Sequence, residues 1–199
     1  MTRRGLFGGT FDPPHIGHIM AAQVAYESLP LDIVEFIPAG EPPHKNVSQV
    51  SSADVRVTLV QAAISSFPYF SLSLEEISRK GPSFTVDTLQ SLQKKYASDE
   101  LYWFVGGDML ADLPTWREPQ KIVEIAHLVV APRPHVDLEC AVYVVRDQFP
   151  DVRLTILDMP MLDISSSWIK ERLRQNRRVD PLLMPTVYEL ICQRELYQT

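Results

Sequence analysis

The chain has 199 residues, 45% hydrophobic and 22% charged, with 25 acidic against 19 basic side chains and a formal charge of −6. That is enough chain to bury a core, and too apolar a composition for a disordered protein. The acidic balance argues against general binding of nucleic acid or anionic membrane, so an anionic substrate would need positive charge gathered locally.

Short β-branched and aromatic runs recur at 4–8, 33–38, 69–74, 101–106, 127–132 and 152–157, and predict strands. Helical periodicity falls between them at 16–29, 53–65, 85–96 and 122–126. Two further helices, 165–174 and 185–194, close the chain. The second helix opens on a capping pattern, Ser51-x-x-Asp54. Strands alternating with helices predict an α/β fold: a Rossmann-like, doubly wound parallel sheet with helices on both faces and a C-terminal helical segment. No internal repeat or low-complexity tract divides the sequence, so residues 1–199 are expected to form one domain, with a helical subregion from about 160.

In such sheets ligands sit at the carboxyl ends of the strands. The loops to inspect are therefore 8–18, 38–52, 75–85, 106–118, 132–136 and 158–168. The longest irregular one, 38–52, is expected to be a binding loop. Cys140 and Cys192 lack metal-ligand spacing and read as reduced, partly buried thiols of a cytoplasmic protein. Gly8, Gly9, Asp12 and Pro13 break any apolar signal segment behind the basic start, and no run approaches the ~18 apolar residues that span a bilayer.

The stretch LFGGTFDPPHIGH (6–18) concentrates the chemistry. A strand ending near Phe7 would pass into Gly8-Gly9, expected to turn with positive φ and bring the backbone close to a ligand. Pro13-Pro14 then stops regular structure, and a helix starts near Ile16 with its free N–H groups available to an anion. His15 and His18 fall on the first helical turn, where both rings could face that anion and carry positive charge near neutral pH. In DISSSWIKERL (163–173) the serines read either as helix caps or as catalytic groups. In FVGGDMLADLPTW (104–116), Asp108 after a glycine turn suits a ribose diol or a helix cap, and Trp116 either stacks on an aromatic ligand or packs in the core. Lys45, Arg133 and Lys170 bring cations to the strand-end loops. His127 reads as structural, His135 and Asp137 stay undecided, and RLRQNRR (172–178) reads as a solvated helix end.

His15-Ile16-Gly17-His18 resembles the signature of the HxGH nucleotidyltransferase superfamily. Ile164–Ser167 resembles its second signature, ISSTxxR, with Ser167 for threonine and Lys170 for arginine, a change that keeps the charge and loses the bidentate fork. GPSFTVDTL (81–89), GGDMLADLPTWREPQKI (106–122) and APRP (131–134) resemble the bacterial nicotinate-mononucleotide adenylyltransferase branch, with Gly107 where alanine is usual. The resemblance runs from Gly8 to the C-terminal ELYQ.

It implies catalytic roles for His15, His18 and Lys45. ATP would be held by Gly8, Gly9, Thr10, Gly17, Gly106 and Asp108, and by Ile164, Ser165, Ser166, Ser167 and Lys170. The mononucleotide would be held by Asp12, His44, Thr85, Trp116, Arg117 and Arg133. The implied reaction joins ATP and nicotinate mononucleotide to give nicotinate adenine dinucleotide and pyrophosphate. Mg²⁺ would be held mainly by phosphates, with no dedicated protein ligands. Nicotinamide mononucleotide, phosphopantetheine, an alcohol phosphate with CTP, and a non-catalytic ATP-sensing module stay open as alternatives. The expected partners are small molecules, not nucleic acid or membrane, and self-association into a homo-oligomer is left open.

Overall fold

The computed structural model describes residues 1–42 and 50–198. All six expected runs become strands: β1 (Arg3–Gly9), β2 (Ile33–Pro38), β3 (Phe70–Leu72), β4 (Glu100–Gly106), β5 (Ala126–Ala131) and β6 (Leu154–Ile156). They form one parallel sheet in the order β3-β2-β1-β4-β5-β6. The expected doubly wound α/β architecture is borne out. The two outermost strands keep only three residues each, shorter than their apolar runs, which limits the unpaired edge.

Both faces of the sheet are covered, which is why β4 reads as a continuous apolar run rather than an alternating one. Successive residues of β4 supply opposite faces. Tyr102 and Phe104 enter one core with α1 (Ile16–Ser28), α2 (Ala53–Ile64), α7 (Ser166–Arg174) and α8 (Pro185–Gln193). Leu101, Trp103 and Val105 enter the other, with α3 (Thr85–Lys95), α4 (Gly107–Asp112), α5 (Pro119–Ile125) and α6 (Leu138–Gln148).

Several local expectations are corrected. The α2 cap is Ser52, whose hydroxyl accepts from the Val55 amide, not Ser51. Helix α6 was not expected. Its apolar periodicity is blurred because Tyr143 and Val144 are exposed while only Ala141 and Val145 are buried. Asp137 caps it by accepting from the Cys140 amide at 3.0 Å, which settles that residue as structural. His127 is structural as expected, stacked on Tyr102 and 2.8 Å from the Thr155 hydroxyl. Both cysteines are exposed and unpaired rather than partly buried. Among the described residues no helix is long and apolar enough to cross a membrane.

The strand order reverses direction between β1 and β4. The crevice outside the carboxyl ends of those two strands is where an open α/β sheet takes a ligand.

Candidate active site

A cleft of about 840 Å³ opens at that reversal. Gly8, Gly9 and Thr10 from the end of β1, Gly106 and Asp108 from the end of β4, and Arg133 after β5 line it. Ser83, Phe84, Thr85, Trp116 and Arg117 close its other end.

The glycine loop is built differently from the expectation. Gly8 and Gly9 are still strand, paired with Ile37 and Pro38, and neither has positive φ. Gly8 is required because a Cβ there would lie 2.7 Å from the Trp103 ring on the neighbouring strand. The left-handed residue is Phe11, at φ 50°. Its side chain is sealed, 5.0 Å from the His18 ring and 5.5 Å from Phe7 between ring centroids. That apolar anchorage holds a backbone conformation a bulky residue otherwise avoids. A cis Asp12–Pro13 peptide follows.

The two histidines are not equivalent. His15 is the N-cap of α1, 2% exposed, and its ring lies 3.8 Å from that of His18. A Cβ on Gly17 would meet the His15 ring at 3.1 Å, so the glycine makes room for the histidine pair. His18 alone of the two lines the cleft. The His15 backbone amide donates to His18 Nδ1 at 3.1 Å, which leaves Nε2 to carry the proton of a neutral ring. Burial, and then the positive charge of Arg133, push the His15 pKa down to about 3. The expectation that both rings face the anion and carry charge near neutral pH is therefore corrected for His15, which is buried and neutral. Arg133 supplies positive charge instead, steadied by donating to the Ile164 carbonyl at 3.1 Å. A Cβ on Gly106 would lie 4.0 Å from its Nε, so Arg133 stands beside the β4 loop and the histidines rather than at the Trp116 end.

Asp12 and Lys170, expected on the mononucleotide and on ATP, meet each other. Lys170 Nζ lies 2.8 Å from Asp12 Oδ2, and neither residue lines the cleft. Burial works against the Asp12 charge but is outweighed by bonds from Lys170, Tyr197 and Ser51, which hold its carboxyl below the usual range. Ser165 caps α7 by accepting from the Trp168 amide, and the Ser166 hydroxyl donates to the Pro13 carbonyl at 2.8 Å. Ser165 is thus accounted for by capping, and Ser166 fastens α7 to the histidine loop. Ile164 and Ser167 do not line the cleft. His44 and Lys45 lie outside the described residues.

At the far end, Thr85 is the first residue of α3 and faces the cleft with Trp116. The Trp116 indole nitrogen is buried without a hydrogen-bond partner among the described residues. Arg117 crosses the rim, ion-paired to Asp87 at 3.2 Å and 5.0 Å above the Phe84 ring. Asp108 is exposed in the first turn of α4, whose N-cap is Gly106, so it is not a cap and remains available to a ligand. Glu76 also lines the cleft. Burial raises its pKa, although its carboxylate accepts from the Thr88 hydroxyl at 2.7 Å. Sequence reasoning missed it, since neither of the two adjacent glutamates in SLEEIS carries a distinguishing spacing. Among the described residues no cluster of His, Cys, Asp or Glu is placed to hold a metal ion.

An all-parallel sheet whose strand order reverses beside a glycine–histidine helix start defines a nucleotide-binding α/β protein. The cytidylyltransferase-like family matches residues 6–172. A Thermomicrobium roseum protein named "Probable nicotinate-nucleotide adenylyltransferase" is 38% identical over 100% of this chain and 93% of its own length. Proteins of the same name from Clostridium perfringens and Bacillus cytotoxicus are each 39% identical, over 100% of this chain and 99% and 100% of theirs. The chain belongs to the cytidylyltransferase-like family, in the nicotinate-nucleotide adenylyltransferase branch these relatives share. The fold is also that of Plasmodium falciparum nicotinic acid mononucleotide adenylyltransferase, solved with APC and with NaAD. Those structures give TM-scores of 0.81 and 0.82 at 18% and 19% identity, over 99% of this chain and 98% of theirs.

Proposed function

We propose that the protein transfers the adenylyl group of ATP to the 5′-phosphate of nicotinate mononucleotide. An acceptor phosphate oxygen bonds to the α-phosphorus, the bond from that phosphorus to the β-phosphate oxygen breaks, and pyrophosphate leaves. The observation that carries this reading is one cleft with a histidine-tipped glycine loop at one end and, at the other, a tryptophan whose buried indole N–H has no partner among the described residues. One end suits phosphates, the other a flat ring with polar substituents.

The acceptor phosphate is already ionised at neutral pH, so the chain need supply no general base. Its task is to align two anions and offset their repulsion. His18 donates from Nε2 to the transferring phosphate, and Arg133 adds a fixed positive charge beside it. The backbone at Gly8, Gly9 and Thr10 gives the triphosphate a close surface, and Gly17 keeps the histidine pair in place. Gly106 and Asp108 take the adenosine ribose. Thr85 and the backbone at Arg117 hold the nicotinate carboxylate while Trp116 stacks on the pyridine. His15 acts from behind His18. Lys45 and His44 are assigned to the phosphates from the family motif. Ser165 and Ser166 serve by setting the start of α7 against the loop. Mg²⁺ bound to ATP oxygens would neutralise part of the phosphate charge. Unpaired, exposed thiols support a cytoplasmic location.

The test is pyrophosphate release from ATP with each acceptor in turn. Nicotinate mononucleotide should give the highest kcat/KM. A higher value for nicotinamide mononucleotide or phosphopantetheine would overturn the acceptor assignment. No release with any acceptor would favour an ATP-sensing module.

A further inference from the structure

The mechanism above makes no use of Tyr197, yet its side chain reaches into the base of the active loop. Asp12 is 1% exposed, and both of its oxygens are engaged. Oδ1 accepts from the Tyr197 hydroxyl at 2.6 Å. Oδ2 accepts from Lys170 Nζ at 2.8 Å and from the Ser51 amide at 3.1 Å. Beside it, the buried Arg56 guanidinium donates to the carbonyls of Ser51, Thr10 and Gly40, at 3.0, 3.2 and 3.1 Å.

Thr10 and Asp12 flank the left-handed Phe11, so the turn is gripped on both sides. On one side the grip comes from α2. On the other it comes from α7 and from the tail beyond α8. The turn leads directly to His15 and His18, and the Phe11 ring lies edge-on against His18. Lateral freedom at Asp12 would be passed to both histidines through a rigid Pro-Pro pair, with the Ser166 hydroxyl holding only the Pro13 carbonyl.

We propose that Tyr197 is a positioning residue for adenylyl transfer. Its hydroxyl, with Lys170, fixes Asp12 and thereby the direction in which the loop presents His18. The assignment rests on the proposed reaction, so its test must succeed or fail separately from that reaction.

The first readout is kinetic. Tyr197→Phe keeps the ring and its packing and removes only the hydroxyl. In the full-length chain kcat should fall about tenfold, with KM for nicotinate mononucleotide within about twofold of wild type. A tail that merely adds stability would lower Tm and leave kcat unchanged. Asp12→Asn should lower kcat further, and Asp12→Asn with Tyr197→Phe should lose no more than Asp12→Asn alone, as two members of one unit do. If Asp12→Asn does not fold, Lys170→Met takes its place in the cycle.

The second readout needs no turnover. Imidazole ¹⁵N NMR should show His18 held as the Nε2–H tautomer in the wild type and averaged between tautomers in Tyr197→Phe. Wild-type kcat together with an unchanged His18 signal in Tyr197→Phe would overturn the proposal. A wild-type chain that releases no pyrophosphate would instead overturn the proposed function, and the NMR comparison would still decide the role of Tyr197.

Discussion

Burial keeps the His15 imidazole uncharged near neutral pH, and that has a consequence for stability. An unfolded chain takes up a proton on this imidazole near its ordinary pKa of 6.5, whereas the buried ring resists until about 3. The contribution is therefore fully present above about pH 6.5 and is lost as pH falls toward 3, at up to about 1.4 kcal/mol per pH unit. His15→Gln removes the titration. Its unfolding free energy should fall less steeply than that of wild type across this window in urea titrations, and parallel curves would refute the assignment. His18 stands on the cleft wall, where the proposed reaction gives it a catalytic role. His18→Ala should cut kcat by about 10²–10³-fold. The lost ring contacts with Phe7 and Phe11 should cost about 1 kcal/mol, roughly 2–4 °C in Tm. Near-normal turnover would remove His18 from the mechanism.

Among the elements, the β1–α1 junction depends on glycines for space rather than for unusual backbone angles. Gly8→Ala would push a methyl into the Trp103 ring, which is fixed in the middle of the sheet. The expected cost is about 1–3 kcal/mol of overpacking. Trp103→Phe removes the ring atoms concerned, so Gly8→Ala should cost less in that background, and a double-mutant cycle of denaturation free energies measures the difference. Gly17→Ala tests the same principle in the helix. Alanine is favoured over glycine in a helix, by about 1 kcal/mol in its interior and by less at Gly17, the second residue of α1. Here the methyl crowds the His15 ring, so the variant should gain little in Tm while losing turnover, and a clear rise in Tm with wild-type kcat would contradict the packing argument.

For the molecule as a whole, the C-terminal helices belong to the core. Ile169, Val179, Leu183, Val187 and Ile191 are buried in the same cluster as Ala22 of α1 and Leu59 of α2. A chain ending at Met159 would expose that face of the sheet and lose the Lys170 and Tyr197 contacts with Asp12. It should melt without a cooperative transition by circular dichroism, and a cooperative melt would show that the first 159 residues fold without their C-terminal cover.

Sequence alone was enough for the six strands and for most of the helices between them, because each apolar run is short, bounded by turn residues and locally periodic. It was also enough to point to the place where the cleft opens, since the glycine–histidine motif lies within one loop and the topology of such sheets sends ligands to strand ends. Helix α6 was hidden because its exposed Tyr143 and Val144 blur the pattern on which that reading depends. Tertiary structure decided what the motif residues do. The reason Gly8 must be glycine is a tryptophan from β4, and the neutrality of His15 comes from burial beside Arg133. The pairing of Asp12 with Lys170 and Tyr197 joins positions 158 and 185 residues apart. Local propensity and spacing carry no information about such pairs, which meet only when both ends of the chain fold against one face of the sheet.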